Sequence, residues 1–283
     1  MNEQQTPEAP APAPRTAAFF DLDKTIIATS SATAFSRPFL AEGLLTRRAV
    51  MRTAYAQLLY LVGGADEDQT ERLRAQLSRM VTGWDVSQVS SIVAETLHES
   101  IDPTVYLEAV ALIDEHHAAG RDVVVVSASG AEVVEPIAAA LGADHVIATR
   151  MHVVDGRYTG AIDFYAYGEN KASAIMALAD EQGYDLAGSY AYSDSITDAP
   201  MLAVVGNAFA VNPDRALRRL AADRGWGTLS FNRPVPLFPR PARVITSGVV
   251  LLLVAAGVIV WLVVRRKRRE RTTAPPRGRR RQR

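Results

Sequence analysis

The chain has 283 residues, 48% of them hydrophobic, enough to bury the core of one large domain or two small ones. It contains no cysteine, which excludes a disulfide framework, a thiolate nucleophile and a cysteine-based zinc site. The formal net charge of zero conceals a split: residues 265–283 carry eleven Lys/Arg against Glu270 alone, which leaves a body of net −10 that is unsuited to nucleic acid.

Residues 1–15 are rich in Pro, Ala, Glu and Gln and read as an extended leader with no apolar run of the secretory kind. The apolar stretch Thr16–Phe20 predicts a buried strand, and Asp21-Leu22-Asp23-Lys24-Thr25 stands at its end. Ser36 to Val62 has helical spacing with Gly43 as a break, and Gly63-Gly64 ends it. Asp66 to Val81 predicts a second helix, and Asp85 caps a third through Val89, Ile92, Val93 and Leu97. So many helices between two consecutive strands indicate an inserted helical cap, residues 30–99, in a core formed by residues 16–29 and 100–231.

Asp102-Pro103 predicts a helix start, with the helix running to Gly120. Asp122 to Ser127, with four consecutive valines, predicts a central parallel strand buried on both faces. Ser127-Ala128-Ser129-Gly130 then leads into a helix from Ala131 to Leu141, a place where main-chain N–H groups can face an anion. Val146–Ala148 reads as a strand, and Asp155-Gly156 joins a hairpin of Met151–Val154 with Arg157–Gly160. Gly168 opens a helix to Gln182 and puts Lys171 in its first turn, where a cation opposes the helix dipole. Ser189–Tyr192 predicts a strand ending in Ser193-Asp194-Ser195-Ile196-Thr197-Asp198. A helix from Ala199, a strand at Asn207–Val211, an Asn212-Pro213 cap with a helix to Asp223, and an edge strand at Gly227–Phe231 complete the core. His98, His116, His117, His145 and His152 lack His-x-x-x-His spacing and read as solvated or structural.

Paired carboxylates therefore follow two strands, Asp21/Asp23 and Asp194/Asp198, with Ser127 and Lys171 at two other element ends. In an open parallel sheet these ends border the crevice where ligands bind. In order and context these residues resemble the motifs of the haloacid dehalogenase superfamily, over residues 16–231, and most closely its phosphoserine phosphatase branch. The resemblance implies an α/β fold: a Rossmann-like parallel-sheet core carrying the helical cap. It implies a phosphatase that hydrolyses a phosphate monoester through an aspartyl-phosphate. Asp21 would be the nucleophile and Asp23 the acid and base. Ser127 would bind a phosphate oxygen with the Ala128 and Ser129 amides, and Lys171 would offset charge. Mg²⁺ would be held by Asp21, Asp194, the Asp23 carbonyl and Asp198, the last directly or through water. Two positions depart from the pattern. Thr197 replaces the frequent Asn before the last aspartate, with a hydroxyl that would still donate to substrate, and Ser30 replaces the glutamate that holds the ammonium of phosphoserine. A buried ammonium without an anion is costly, which argues against phosphoserine as main substrate.

Val244 to Val264 is an uncharged run of 21 residues, long enough to cross a hydrocarbon core of about 30 Å as a single transmembrane helix, with Trp261 near one end. The Pro-rich linker 232–243 precedes it, and the basic tail 265–283 follows. The expected place is the cell membrane, with the catalytic domain cytoplasmic. The positive-inside rule pulls the tail to that same side, which a shallow insertion or a tail lying on anionic headgroups would reconcile. The expected partner is a small phosphorylated metabolite or a lipid phosphate head group. The alternative is a catalytically weak membrane scaffold that keeps the fold and binds partners. Oligomeric state is not legible.

Overall fold

All five residues of strand β1 (Ala17–Asp21) are buried, and the strand forms the centre of the sheet. The structure is a computed structural model describing residues 14–46, 75, 78–232 and 234. After β1 come the short helices α1 (Ser31–Ala34) and α2 (Ser36–Ala41), then α3 (Val86–Ser100) and α4 (Leu107–Ala118). Strand β2 (Asp122–Gly130), helix α5 (Ala131–Ala140), and strands β3 (His145–Val154) and β4 (Arg157–Phe164) follow. The second half holds α6 (Glu169–Gln182), β5 (Tyr190–Ser193), α7 (Ala199–Ala203), β6 (Asn207–Val211), α8 (Arg215–Arg224) and β7 (Gly227–Leu229).

The strand order is β4-β3-β2-β1-β5-β6-β7, parallel throughout except for β4, which runs antiparallel to β3. The chain builds outward from β1 in one direction through β2 and β3, then returns to build β5 on the other side. That reversal opens a crevice at the carboxyl end of β1.

Alternation along the strands fills two layers. Ala18, Phe20, Val123 and Val125 face one apolar cluster, while Ala17, Phe19, Val124 and Val126 face the other. The first also takes Ala109 and Ile113 of α4, Val134 and Ile137 of α5, Phe35 and Phe39 around α2, and Val89 and Val93 of α3. The second takes Ile175 of α6 and Leu217 of α8. Residues between β1 and β2 and residues of the sheet thus share one apolar cluster. Main-chain hydrogen bonds tie them further: Gly83 N–H donates to Tyr158 (2.8 Å), Tyr158 N–H to Trp84 (3.1 Å) and Val86 N–H to Gly156 (3.0 Å).

Most predicted elements stand where the sequence places them. Asp85 caps α3 by accepting from the Ser87 and Gln88 amides. The helix predicted from Asp102 to Gly120 is broken. A 3₁₀ turn (Asp102–Thr104) is followed by extended Val105 and Tyr106 before α4 begins. Those extended residues are captured by the loop after β1: Tyr106 N–H donates to Ile26 (2.9 Å) and Ala28 N–H to Thr104 (2.7 Å). The cap of α8 is Asp214, which accepts from Leu217 N–H (2.7 Å), rather than Asn212-Pro213. The predicted helices over 47–62, 66–74 and 76–77, linker residues 233 and 235–243, the apolar run 244–264 and the basic tail lie outside the described residues. Among the described residues, no helix is long and apolar enough to cross a membrane.

Candidate active site

The backbone reverses sharply after β1. The amides of Thr25, Ile26 and Ile27 all turn toward the Leu22 carbonyl, at 3.4, 3.0 and 3.1 Å, and Lys24 takes a left-handed φ of 65°. That turn brings the Thr25 hydroxyl back to donate to Asp21 Oδ2 at 3.1 Å. Asp21 is buried, and its other oxygen faces Lys171.

Lys171 reaches the site from the first turn of α6 and is 2% exposed. Its Nζ donates to Asp21 Oδ1 at 2.7 Å and to Asp198 Oδ2 at 2.9 Å. Ser193, the last residue of β5, donates to the same Asp198 oxygen at 2.7 Å. The two flanking carboxylates outweigh the cost of burial and raise the lysine pKa above its ordinary value, so it stays protonated. Asp21 is pushed well above the usual carboxylate range, first by burial and further by Asp198 and Asp194, although Lys171 opposes this.

Asp23 occupies a neighbouring niche. Ser31 N–H donates to its Oδ1 at 2.8 Å, and the Ser31 and Ser129 hydroxyls each lie 3.3 Å from Oδ2. Burial raises its pKa, and these hydrogen bonds partly offset the rise. An acid that holds its proton above the ordinary carboxylate range suits proton transfer to a leaving group. Ser127, buried, continues β2 just past Val126, which pairs with Asp21. Its hydroxyl accepts the Ser129 amide at 3.2 Å, so that amide is already engaged rather than free for an anion. The Ala128 carbonyl accepts from Thr149 at 2.7 Å.

Asp194 follows β5, in a loop held from outside by Asp214. The Asp214 amide donates to the Asp194 carbonyl (2.8 Å), and its carboxylate accepts Ile196 N–H (2.9 Å). Thr197 is bonded to Ser195 through the two hydroxyls at 3.0 Å. Burial, with Asp198 and Asp214 nearby, pushes Asp194 up to about 6, although Lys24 draws it down. A group with a raised folded pKa binds its proton more tightly in the native state, so stability falls as pH rises. The difference between about 6 and the ordinary 3.8 corresponds to roughly 3 kcal/mol above pH 7. Asp194→Asn is therefore expected to stabilise the metal-free protein at pH 8, by up to that amount, with the gain vanishing below about pH 4. Urea denaturation in EDTA across pH checks this.

Asp21, Asp194 and Asp198 crowd around the buried ammonium of Lys171, an excess of negative charge that raises Asp21 and Asp194. This hard-oxygen donor set suits a divalent cation such as Mg²⁺. Among the described residues, however, no three His, Cys, Asp or Glu side chains form a ready-made cage.

The structure thus brings Asp21, Lys171 and Asp198 into direct contact, puts Asp194 within electrostatic reach, and seats Asp23 with Ser129 beside them. Sequence reasoning missed Ser31, Ser193 and Asp214. Only Asp214, next to a proline at a helix start, carried a local signal. The histidines stay clear of these carboxylates. His116 is buried under the sheet between Tyr192 Oη (2.8 Å) and Arg121 Nε (2.7 Å), and burial lowers its pKa to about 4.

The sequence profile of haloacid dehalogenase-like hydrolases matches residues 18–203. A Mycobacterium tuberculosis protein named as a probable phosphatase is 62% identical over 236 residues, covering 83% of this chain and 82% of the relative. A phosphoserine phosphatase of the same organism is 35% identical over 217 residues, or 76% of this chain and 70% of the relative. Among solved structures, a phospho-aspartyl intermediate analogue of phosphoserine phosphatase aligns with a TM-score of 0.56 at 20% identity, covering 78% of this chain and 95% of that one, a likeness of fold. With the profile spanning β1 to β5 and all four motif positions, this chain belongs to the haloacid dehalogenase-like hydrolase family.

Proposed function

We propose that this chain is a Mg²⁺-dependent phosphatase, anchored to the cell membrane, that hydrolyses a phosphate monoester through an aspartyl-phosphate. The observation that carries the reading is Lys171 Nζ bridging Asp21 and Asp198 at 2.7 and 2.9 Å beside a separately seated Asp23. Phosphoryl transfer asks chiefly for positioning and charge stabilisation, and this arrangement supplies both.

In the first step an Asp21 carboxylate oxygen attacks phosphorus while the ester P–O bond breaks and Asp23 gives its proton to the departing alkoxide. In the second, Asp23 takes a proton from water as the water oxygen attacks phosphorus, and Asp21 leaves with the bonding pair. Ser127 donates to a non-bridging phosphoryl oxygen, beside the Ala128 amide. Lys171 holds Asp21 in place and offsets charge on the phosphoryl group. Asp21, Asp194, the Asp23 carbonyl and Asp198 would hold Mg²⁺, which when bound neutralises this acidic cluster and polarises the phosphoryl oxygens.

Anchoring rests on the uncharged run 244–264 and the basic residues after it. We assign the catalytic domain to the cytoplasmic side. A small phosphorylated metabolite and a lipid phosphate head group are the two substrate sources this reading admits.

Full-length protein in detergent is expected to hydrolyse an aryl phosphate with Mg²⁺ and to lose this with EDTA. Mg²⁺ should also raise the wild-type unfolding midpoint and leave that of Asp194→Asn nearly unmoved. Failure to turn over any member of a broad phosphate ester panel would remove the enzyme reading in favour of a scaffold.

A further inference from the structure

The glutamate that would hold a phosphoserine ammonium is replaced here by Ser30, whose hydroxyl is used locally: it accepts Thr33 N–H at 3.2 Å and caps α1. An anion stands elsewhere. A cavity of about 360 Å³ opens beside Ser31 and Ser129, the two residues whose hydroxyls touch Asp23. Its size is in the range of small-molecule sites. Val81, Trp84 and Val89 wall it from the cap, and Met151 and Ile162 from the sheet. Among the described residues lining it, one side chain is charged at neutral pH, Glu132.

Glu132 lies in the first turn of α5. A first-turn acid is favoured by the helix dipole, by about 0.3–1 kcal/mol. That accounts for its place on the helix and not for the apolar chamber around it. The buried Tyr158 hydroxyl lies near the carboxylate, and burial, then Glu132, raises its pKa above the usual phenol range. Glu132 Oε2 folds back over Gly130, 3.4 Å from where a Cβ on that glycine would stand, and Glu132 lines the same cavity as Ser129. One tyrosine leaves most of the acceptor capacity of a carboxylate free. Surrounded by low-dielectric walls, such a charge gains much from a cation. No lysine or arginine among the described residues lines the cavity to receive a substrate carboxylate.

We propose that Glu132 selects the leaving group: the substrate is a phosphate ester of an amino alcohol, its ammonium paired with Glu132, its apolar body in the cavity, and with no carboxylate. This deepens the phosphatase reading and rests on it. It also separates amino alcohol phosphates from phosphoamino acids, whose carboxylate would meet the like charge of Glu132 and, among the described lining residues, no cation.

The test uses full-length protein with Mg²⁺ and three probes: 2-amino-3-phenylpropyl phosphate, 3-phenylpropyl phosphate and O-phosphoserine. Wild-type kcat/KM is expected to be at least tenfold higher for the first than for either of the others. In Glu132→Gln the ratio between the first two should fall at least tenfold, chiefly through KM. Equal wild-type rates on the first two probes overturn the proposal, and that comparison needs no variant. An equal loss on both esters in Glu132→Gln, or an unchanged ratio, overturns it as well, since either outcome leaves Glu132 a structural role. Turnover of an aryl phosphate without turnover of the aminated ester sinks the amino alcohol assignment alone. Absence of turnover on every ester sinks the phosphatase reading and this inference with it.

Discussion

Asp21→Asn is expected to remove phosphate ester hydrolysis altogether, a fall in kcat of roughly 10⁴-fold or more. The substitution keeps the shape of the side chain and an oxygen that can still accept from Lys171, now 2.7 Å from Oδ1. It removes the carboxylate nucleophile and nothing larger. It also removes a carboxylate that burial, Asp198 and Asp194 push well above its ordinary pKa. The metal-free variant should therefore be at least as stable as wild type at pH 8, which separates loss of chemistry from loss of fold. Release of phosphate in a continuous assay, beside a thermal melt in EDTA, reads both. Activity that survives the substitution would refute the aspartyl-phosphate mechanism.

Lys171→Met should lose activity and stability together. One ammonium serves two buried carboxylates, both under a tenth exposed, and taking it away leaves Asp21 and Asp198 facing each other without their counter-charge. Breaking a buried ion pair from one side costs about 3–5 kcal/mol, which corresponds to a fall of roughly 10 °C in Tm for a domain of this size. Loss of one preorganised charge at the phosphoryl group costs roughly 10²–10³ in kcat. The sign with pH is distinctive. Without the lysine, the folded-state pKa of Asp21 rises further above its unfolded value, so native protein binds its proton more tightly. The deficit should be largest at pH 8 and shrink toward pH 4 as the carboxylate protonates. Melts in EDTA over that range check it, and a pH-independent deficit would show that Lys171 acts through packing alone.

Much of this site was legible because its signals are local. The valines of β2 and the apolar run before Asp21 announce buried strands by composition, and an acid at a strand end or a lysine in a helix first turn stands against its neighbours. What was missed depends on partners distant in sequence. Val105 and Tyr106 have helical neighbours on both sides, and only the loop at Ile26–Ala28, some eighty residues earlier, draws them into extended form. Ser31 and Ser129 look like ordinary hydroxyls until folding sets both on Asp23. The sequence points to Asn212-Pro213 as the cap of α8; Asp214 takes that place with one oxygen, and its second holds the Asp194 loop through Ile196. Periodicity reports which face a residue shows, and it carries no information about which remote backbone will meet it.

The three main-chain hydrogen bonds between residues 83–86 and 156–158 join two walls of the cavity beside Ser31 and Ser129. A lid hinged freely above the catalytic aspartates would trade these for water at every turnover. Here the described part of the cap and the β3–β4 hairpin must shift as one piece or break pairing to admit a larger guest. On the phosphatase reading proposed above, the dimensions of this cavity act beside the charge of Glu132 in discriminating between esters, and trimming Trp84 or Met151 is expected to broaden the substrate range.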